Sequence, residues 1–149
     1  IINSKINYFE TERQYYVVGI YDNLKTYDVV EIYLKTNDEN YEIKTITGKF
    51  GIDNQKHCLD MKDDLTADIK NLFKNKKQHN DIKSHEFDNS GKSKQHLSQF
   101  NIDGYLTHIR VECSLFSKQI KNDLDYEDSL NVVVMDKEIS EWILVDGYR

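Results

Sequence analysis

Residues 14 to 21 (QYYVVGIY) and 28 to 36 (DVVEIYLKT) are dense in β-branched and aromatic side chains, and Asp22-Asn23-Leu24-Lys25 between them has turn composition. The two runs predict a hairpin. In the second, Val30, Ile32 and Leu34 alternate with Glu31, Tyr33 and Lys35, the period of two expected of a strand with one buried face. That pattern places the aliphatic set inward and Tyr33 outward. Asn37-Asp38-Glu39-Asn40 supplies the next turn, and 41 to 47 (YEIKTIT) a third strand.

The period changes after Gly48 and Gly51. Over residues 58 to 74, Cys58, Met61, Leu65, Ile69 and Leu72 recur at steps of three or four, with Phe73 at the margin, and trace the apolar stripe of an amphipathic helix ending near Asn75. Asp60, Asp63 and Asp64 in its early turns and Lys70, Lys74, Lys76 and Lys77 at its end suit the helix dipole. The following stretch, KNKKQHNDIKSHEFDNSGKSKQH, has only Ile82 and Phe87 as large apolar residues. A polar, mobile connection at about 76–94 is therefore expected.

Strands resume at about 95 to 102 and 105 to 115 across a tight Asp103-Gly104 turn. In the second of these, Tyr105, Thr107, Ile109, Val111, Cys113 and Leu115 share one face. Leu106, His108, Arg110, Glu112 and Ser114 share the other, where His108, Arg110 and Glu112 read as a surface ion cluster. A polar stretch (KQIKNDLDYED) precedes a last strand at 130 to 135, and Ile139, Trp142 and Ile143 then have helical spacing. The expected fold is α+β, a mainly antiparallel sheet of about six strands in β-β-β-α-β-β-β-α order. An amphipathic helix and a short C-terminal helix cover one face, and residues 1–149 form a single domain.

Charge narrows the partners. A net charge of −6 with pI near 5.3 opposes a phosphate backbone, so nucleic acid is not expected as a partner. No apolar run approaches the roughly 20 residues of a membrane span. The charge is uneven, because the segment from Lys74 to His96 holds six Lys against Asp81, Glu86 and Asp88, a formal +3. Lys76, Lys77, Lys92 and Lys94 are therefore candidate steering residues for an acidic partner.

Each of the two cysteines, Cys58 and Cys113, falls on the apolar face of its element. If the helix lies on the sheet the faces meet, which allows a disulfide; the alternative is two buried thiols. A bridge implies an oxidising compartment, periplasmic or extracellular, and free thiols leave the cytoplasm open. The chain opens on Ile1-Ile2-Asn3, which fits a processed mature chain, implying export, or a trimmed one, implying nothing.

No motif carries chemistry through. Ser90-Gly91-Lys92-Ser93 resembles a phosphate-loop tail, but Glu86 stands where the first glycine belongs. Asp123, Asp125 and Glu127 alternate like calcium ligands, yet Asp128 replaces the turn glycine and Val134 the closing Glu. Glu42 and Lys44, with Asp28 or Asp38, echo a nuclease grouping, and none of the five histidines forms a helical i, i+4 pair. No catalytic residue, metal or cofactor is assigned. Seven of the ten tyrosines lie within the first 41 residues, and an outward Tyr33 suits an amphipathic contact patch.

The expected function is a small exported, non-enzymatic binding protein of inhibitor or immunity type, with a protein partner. One alternative is a ligand-binding domain with an apolar pocket between helix and sheet. The other is a hydrolase or nuclease assembled from scattered residues such as Glu42, Lys44 and His108.

Overall fold

The computed structural model describes residues 4–8, 14–85, 87–103 and 107–145. Its elements are β1 (Ser4–Tyr8), β2 (Tyr15–Ile20), β3 (Val29–Lys35), β4 (Ile43–Gly51), α1 (Gln55–Leu72), β5 (Gln78–Ser84), β6 (Lys94–Asp103), β7 (Thr107–Leu115), α2 (Lys118–Leu124), β8 (Ser129–Met135) and α3 (Lys137–Val145). The class is α+β, with strands in the order β1-β2-β3-β4-β8-β7-β6-β5. Pairs β1–β2, β2–β3, β3–β4 and β5–β6 are antiparallel. Asp136 N donates to Lys44 O at 2.8 Å and Ile52 N to Asp128 O at 2.9 Å, which sets β8 antiparallel to β4.

Among the described residues the strands number eight where about six were expected. The added ones are β1 and β5, and α2 is a further helix in the stretch read as polar. The segment expected as a bare connection thus holds a strand, with Gln78 to Ser84 paired residue by residue with Phe100 to Lys94. The Asp103-Gly104 turn, Tyr105 and Leu106 fall partly or wholly outside the described residues.

The chain divides into two compact units, Ile1–Lys49 with Asn101–Ile109 and Val133–Arg149, and Phe50–Phe100 with Arg110–Val132. In the second unit, α1 begins a turn earlier than its apolar stripe suggests. Asn54 caps it, its side chain accepting from His57 N at 3.2 Å. Asp60, Asp63 and Asp64 therefore lie beyond the first turn, where the dipole argument no longer reaches them. Cys58 packs with Ile52, Val111, Cys113, Leu115 and Leu130, and Leu59, Met61, Leu65 and Ile69 close over that cluster. Leu72, at the end of the stripe, is instead 78% exposed. Cys58 and Cys113 are joined by a disulfide between fully buried positions 5.9 Å apart at Cα.

In the first unit, α3 buries Ile139 and Trp142 against Tyr15, with Tyr33, Met135 and Ile143 around them. The Tyr15 and Trp142 rings lie 5.0 Å apart. Asp136 starts this helix, its Oδ1 accepting from Glu138 N at 2.8 Å and its carbonyl from Ser140 N at 3.2 Å.

Candidate interaction surfaces

The cross-strand registers of the first unit decide which face of β3 meets α3. Tyr33 pairs with Val17 and Thr45, and its half-buried ring joins the Tyr15–Ile139–Trp142 cluster. The Tyr33 hydroxyl donates to Glu31 Oε2 at 3.0 Å, while Lys49 Nζ bridges Glu31 Oε1 at 2.9 Å. Tyr33 therefore belongs to the covered face, which corrects the outward placement read from alternation. Alternation separates two faces without saying which one is covered, and tyrosine rings serve as well as aliphatic chains beneath a helix.

The aliphatic face is the open one. Ile32 sits between Val18 and Ile46, and Leu34 pairs with Ile43. Ile43, Ile46 and Val134 are 49%, 40% and 50% exposed, with Val18, Ile20, Val30, Ile32 and Leu34 half-buried. Tyr27 contributes to this face by lying over Gly48, where an added Cβ would clash with the ring. A groove of about 300 Å³ borders it, lined by Ile43, Ile46, Thr107, Val134 and Met135.

A register shift explains Lys44. The β3–β4 pairing moves from Tyr33–Thr45 to Leu34–Ile43, leaving Lys44 as the extra residue, and Lys44 and Thr45 are both buried while Ile43 and Ile46 are exposed. Such a bulge turns two successive side chains to one side. Lys44 Nζ then bridges Glu42 Oε2 at 2.8 Å and Glu138 Oε2 at 2.9 Å, and Lys35 holds the other Glu138 oxygen at 2.5 Å. The carboxylates of Glu42 and Glu138 raise the Lys44 ammonium above its usual range. Lys35 and Lys44 draw Glu138 down to about 2. Burial, then the Glu138 carboxylate, pushes the Tyr15 hydroxyl up to about 12. Lys44 is thus engaged in fastening α3 to β4. Asp38, the other carboxylate of the nuclease-like grouping, accepts from Asn40 N at 3.0 Å and Glu42 N at 2.8 Å and organises its own turn.

In the second unit, the face of β7 opposite Cys113 is not solvated. Glu112 and Ser114 are buried, and Glu112 Oε1 accepts from Gln95 Nε2 at 2.9 Å and from Ser114 Oγ at 2.8 Å, with Arg110 Nε 3.3 Å from Oε2. His108, also buried, belongs to the first unit. The expected surface ion cluster is therefore a buried polar one. The β5–β6 loop is also internally organised. Asp88 accepts from the backbone N and Oγ of Ser90 at 3.0 and 2.6 Å and of Ser93 at 2.8 and 2.5 Å, and these bonds hold its carboxyl well below the usual range. Ser93 Oγ in turn accepts from Ser117 N at 2.9 Å, and Gly91 at φ 66° completes the turn. His85 stacks on Phe116 with ring centroids 4.6 Å apart and lies 5.0 Å from Phe87, and burial lowers its pKa against the pull of Glu112 and Asp88. The Ser90-Gly91-Lys92-Ser93 motif is consumed in this structural turn.

The steering candidates fall at the ends of the β5–β6 hairpin. Lys76 and Lys77 are exposed just before β5, Lys92 is exposed in the loop, and Lys94 begins β6, its Nζ donating to Ser84 Oγ at 2.9 Å. Among the described residues no group of three His, Cys, Asp or Glu side chains is gathered as a metal site requires. Nor is any described helix long and apolar enough to cross a membrane. Comparison with known proteins returns no matching family model, curated protein or solved structure.

Proposed function

We propose that the chain is a small exported, non-enzymatic protein-binding domain. The observation that carries this reading is the open aliphatic face of the first unit, on which Ile43, Ile46 and Val134 stand 40% to 50% exposed beside half-buried Val18, Ile32 and Leu34. A contiguous apolar patch on a sheet marks an interaction surface, because leaving it in water forgoes roughly 25 cal/mol for every Å² that a partner would cover. The buried disulfide supports export to an oxidising compartment. The polar groups that a catalytic reading would recruit are used otherwise: Lys44 fastens α3 and Asp38 shapes its turn.

Size-exclusion chromatography of an extract of the source cells tests this. Wild-type chain is expected in a complex larger than the purified protein, and an Ile32→Lys/Ile46→Lys double variant is expected to elute free with an unchanged urea midpoint. Co-elution of the two would overturn the reading.

A further inference from the structure

β5 is the last strand in the order and, among the described residues, pairs with β6 alone. The bond from His85 N to Ser93 O at 3.2 Å continues that register as a hydrogen-bonded pair. Such pairs alternate along an antiparallel ladder, so His79, Asp81 and Lys83 exchange bonds with β6. Gln78, Asn80, Ile82 and Ser84 then direct their N–H and C=O groups away from the sheet. Ile82 agrees with this assignment, since its N–H donates to Asp81 Oδ1 at 2.8 Å. The register is unbroken from Gln78 to Ser84, and neither a bulge nor a proline blunts the edge.

Two further features describe what would add there. A groove of about 560 Å³ opens beside the strand, lined by Leu59, Lys62 and Asp63 of α1, Asn80, Asp81 and Ile82 of β5, and His96 and Leu97 of β6, with Ile82 64% exposed. Alternate side chains of an added strand would find apolar and polar lining in it. Asp63 pairs with Lys62 at 2.6 Å and Asp81 lies 3.9 Å from Lys83, so the groove's own charges balance. The excess comes from Lys76 and Lys77 before the edge and Lys94 at its far end, within the segment of formal charge +3 in a chain of −6. That excess favours a negatively charged strand and disfavours a positive one.

We propose that the outer edge of β5 takes up an extended, acidic segment of a partner protein as an added strand. This rests on the reading of the chain as a binding protein and names a second contact for it. The incoming strand displaces the Asp81 carboxylate from Ile82 N–H and bonds the outward groups of Gln78, Asn80, Ile82 and Ser84. Lysines at both ends of the strand attract its acidic side chains.

The test uses two blocked, fluorescently labelled peptides that alternate Val with Glu or Val with Lys, titrated onto the intact chain. The Glu peptide is expected to bind saturably and to slow amide exchange at Asn80, Ile82 and Ser84, while the Lys peptide does not bind. Ile82→Pro removes one outward N–H and keeps the β6 ladder, so affinity is expected to fall about tenfold at an unchanged urea midpoint. Asp81→Ala frees the Ile82 N–H and is expected to tighten binding; it serves if the proline variant does not fold. Three outcomes would overturn the proposal: no saturable binding, equal binding of both peptides, or a second copy found by sedimentation already seated on β5. Any of these, with the complex in cell extracts still released by Ile32→Lys/Ile46→Lys, removes the edge and leaves the binding reading in place.

Discussion

Reducing the Cys58–Cys113 bond is expected to cost the fold much of its margin. The bridged residues are 55 apart in sequence. Closing a loop of that length removes about 4 kcal/mol of chain entropy from the unfolded state on the loop-entropy account. Whole-domain stabilities are about 5–15 kcal/mol, so the loss is a large fraction of the total. Both sulfurs sit in the core cluster under α1, and reduction leaves the same side chains in place, so packing losses do not inflate the comparison. With a urea slope of about 2 kcal/mol/M, the midpoint should drop by about 2 M when circular dichroism is followed with and without a phosphine reductant. Alkylation of the unreduced, denatured chain should find no thiol. A midpoint shift under about 0.5 M would refute the entropic argument, and two alkylated thiols would refute the bridge.

Other outcomes follow from the same geometry. Leu130→Ala, in the fully buried cluster, should destabilise by about 2–5 kcal/mol, whereas Ile46→Ala on the open face should stay within about 0.5 kcal/mol, both read from urea midpoints. His85 is buried with its pKa lowered, so the unfolded chain binds the extra proton first and stability should fall as pH drops below the ordinary imidazole value of 6.5. His96, lowered by burial and by Lys62 and Lys94, acts in the same direction. Thermal unfolding of His85→Phe should show a shallower loss between pH 6.5 and 5, and an unchanged slope would remove His85 from the account. Neutralising Lys76, Lys77, Lys92 and Lys94 should slow association of the Glu-containing peptide and flatten its salt dependence with little change in release. Faster release with unchanged association would instead place these lysines in a buried contact.

The sequence spoke clearly where one period dominated over many residues. The stripe from Cys58 to Ile69 located α1, the alternation through Cys113 gave β7 its helix-facing side, and the two together placed both cysteines in one core. It was silent where stability came from polar bonds. The turn that Asp88 organises through Ser90 and Ser93 has no apolar signature, so a structured loop and the strand before it looked like a bare connection. Helix α2 buries only Ile120 and is defined by its Ser117 cap. The open surface was visible as a set of residues and assigned to the wrong side. Val30, Ile32 and Leu34 are a buried set by composition, and only the position of α3 over Tyr15 and Tyr33 shows that they are not covered by it. The single extra residue at Lys44, which ties β4 to Glu138, leaves no trace in the pattern.

Site-specific photo-crosslinking in the source cells decides whether the aliphatic face of the first unit is where a partner binds. A photoreactive side chain would replace Ile46 on that face in one variant and the exposed Lys56 of α1 in another. The account predicts one adduct of defined mass from position 46, abolished by adding Ile32→Lys, and none from position 56. Adducts of the same mass from both positions, or no adduct from position 46, would contradict it.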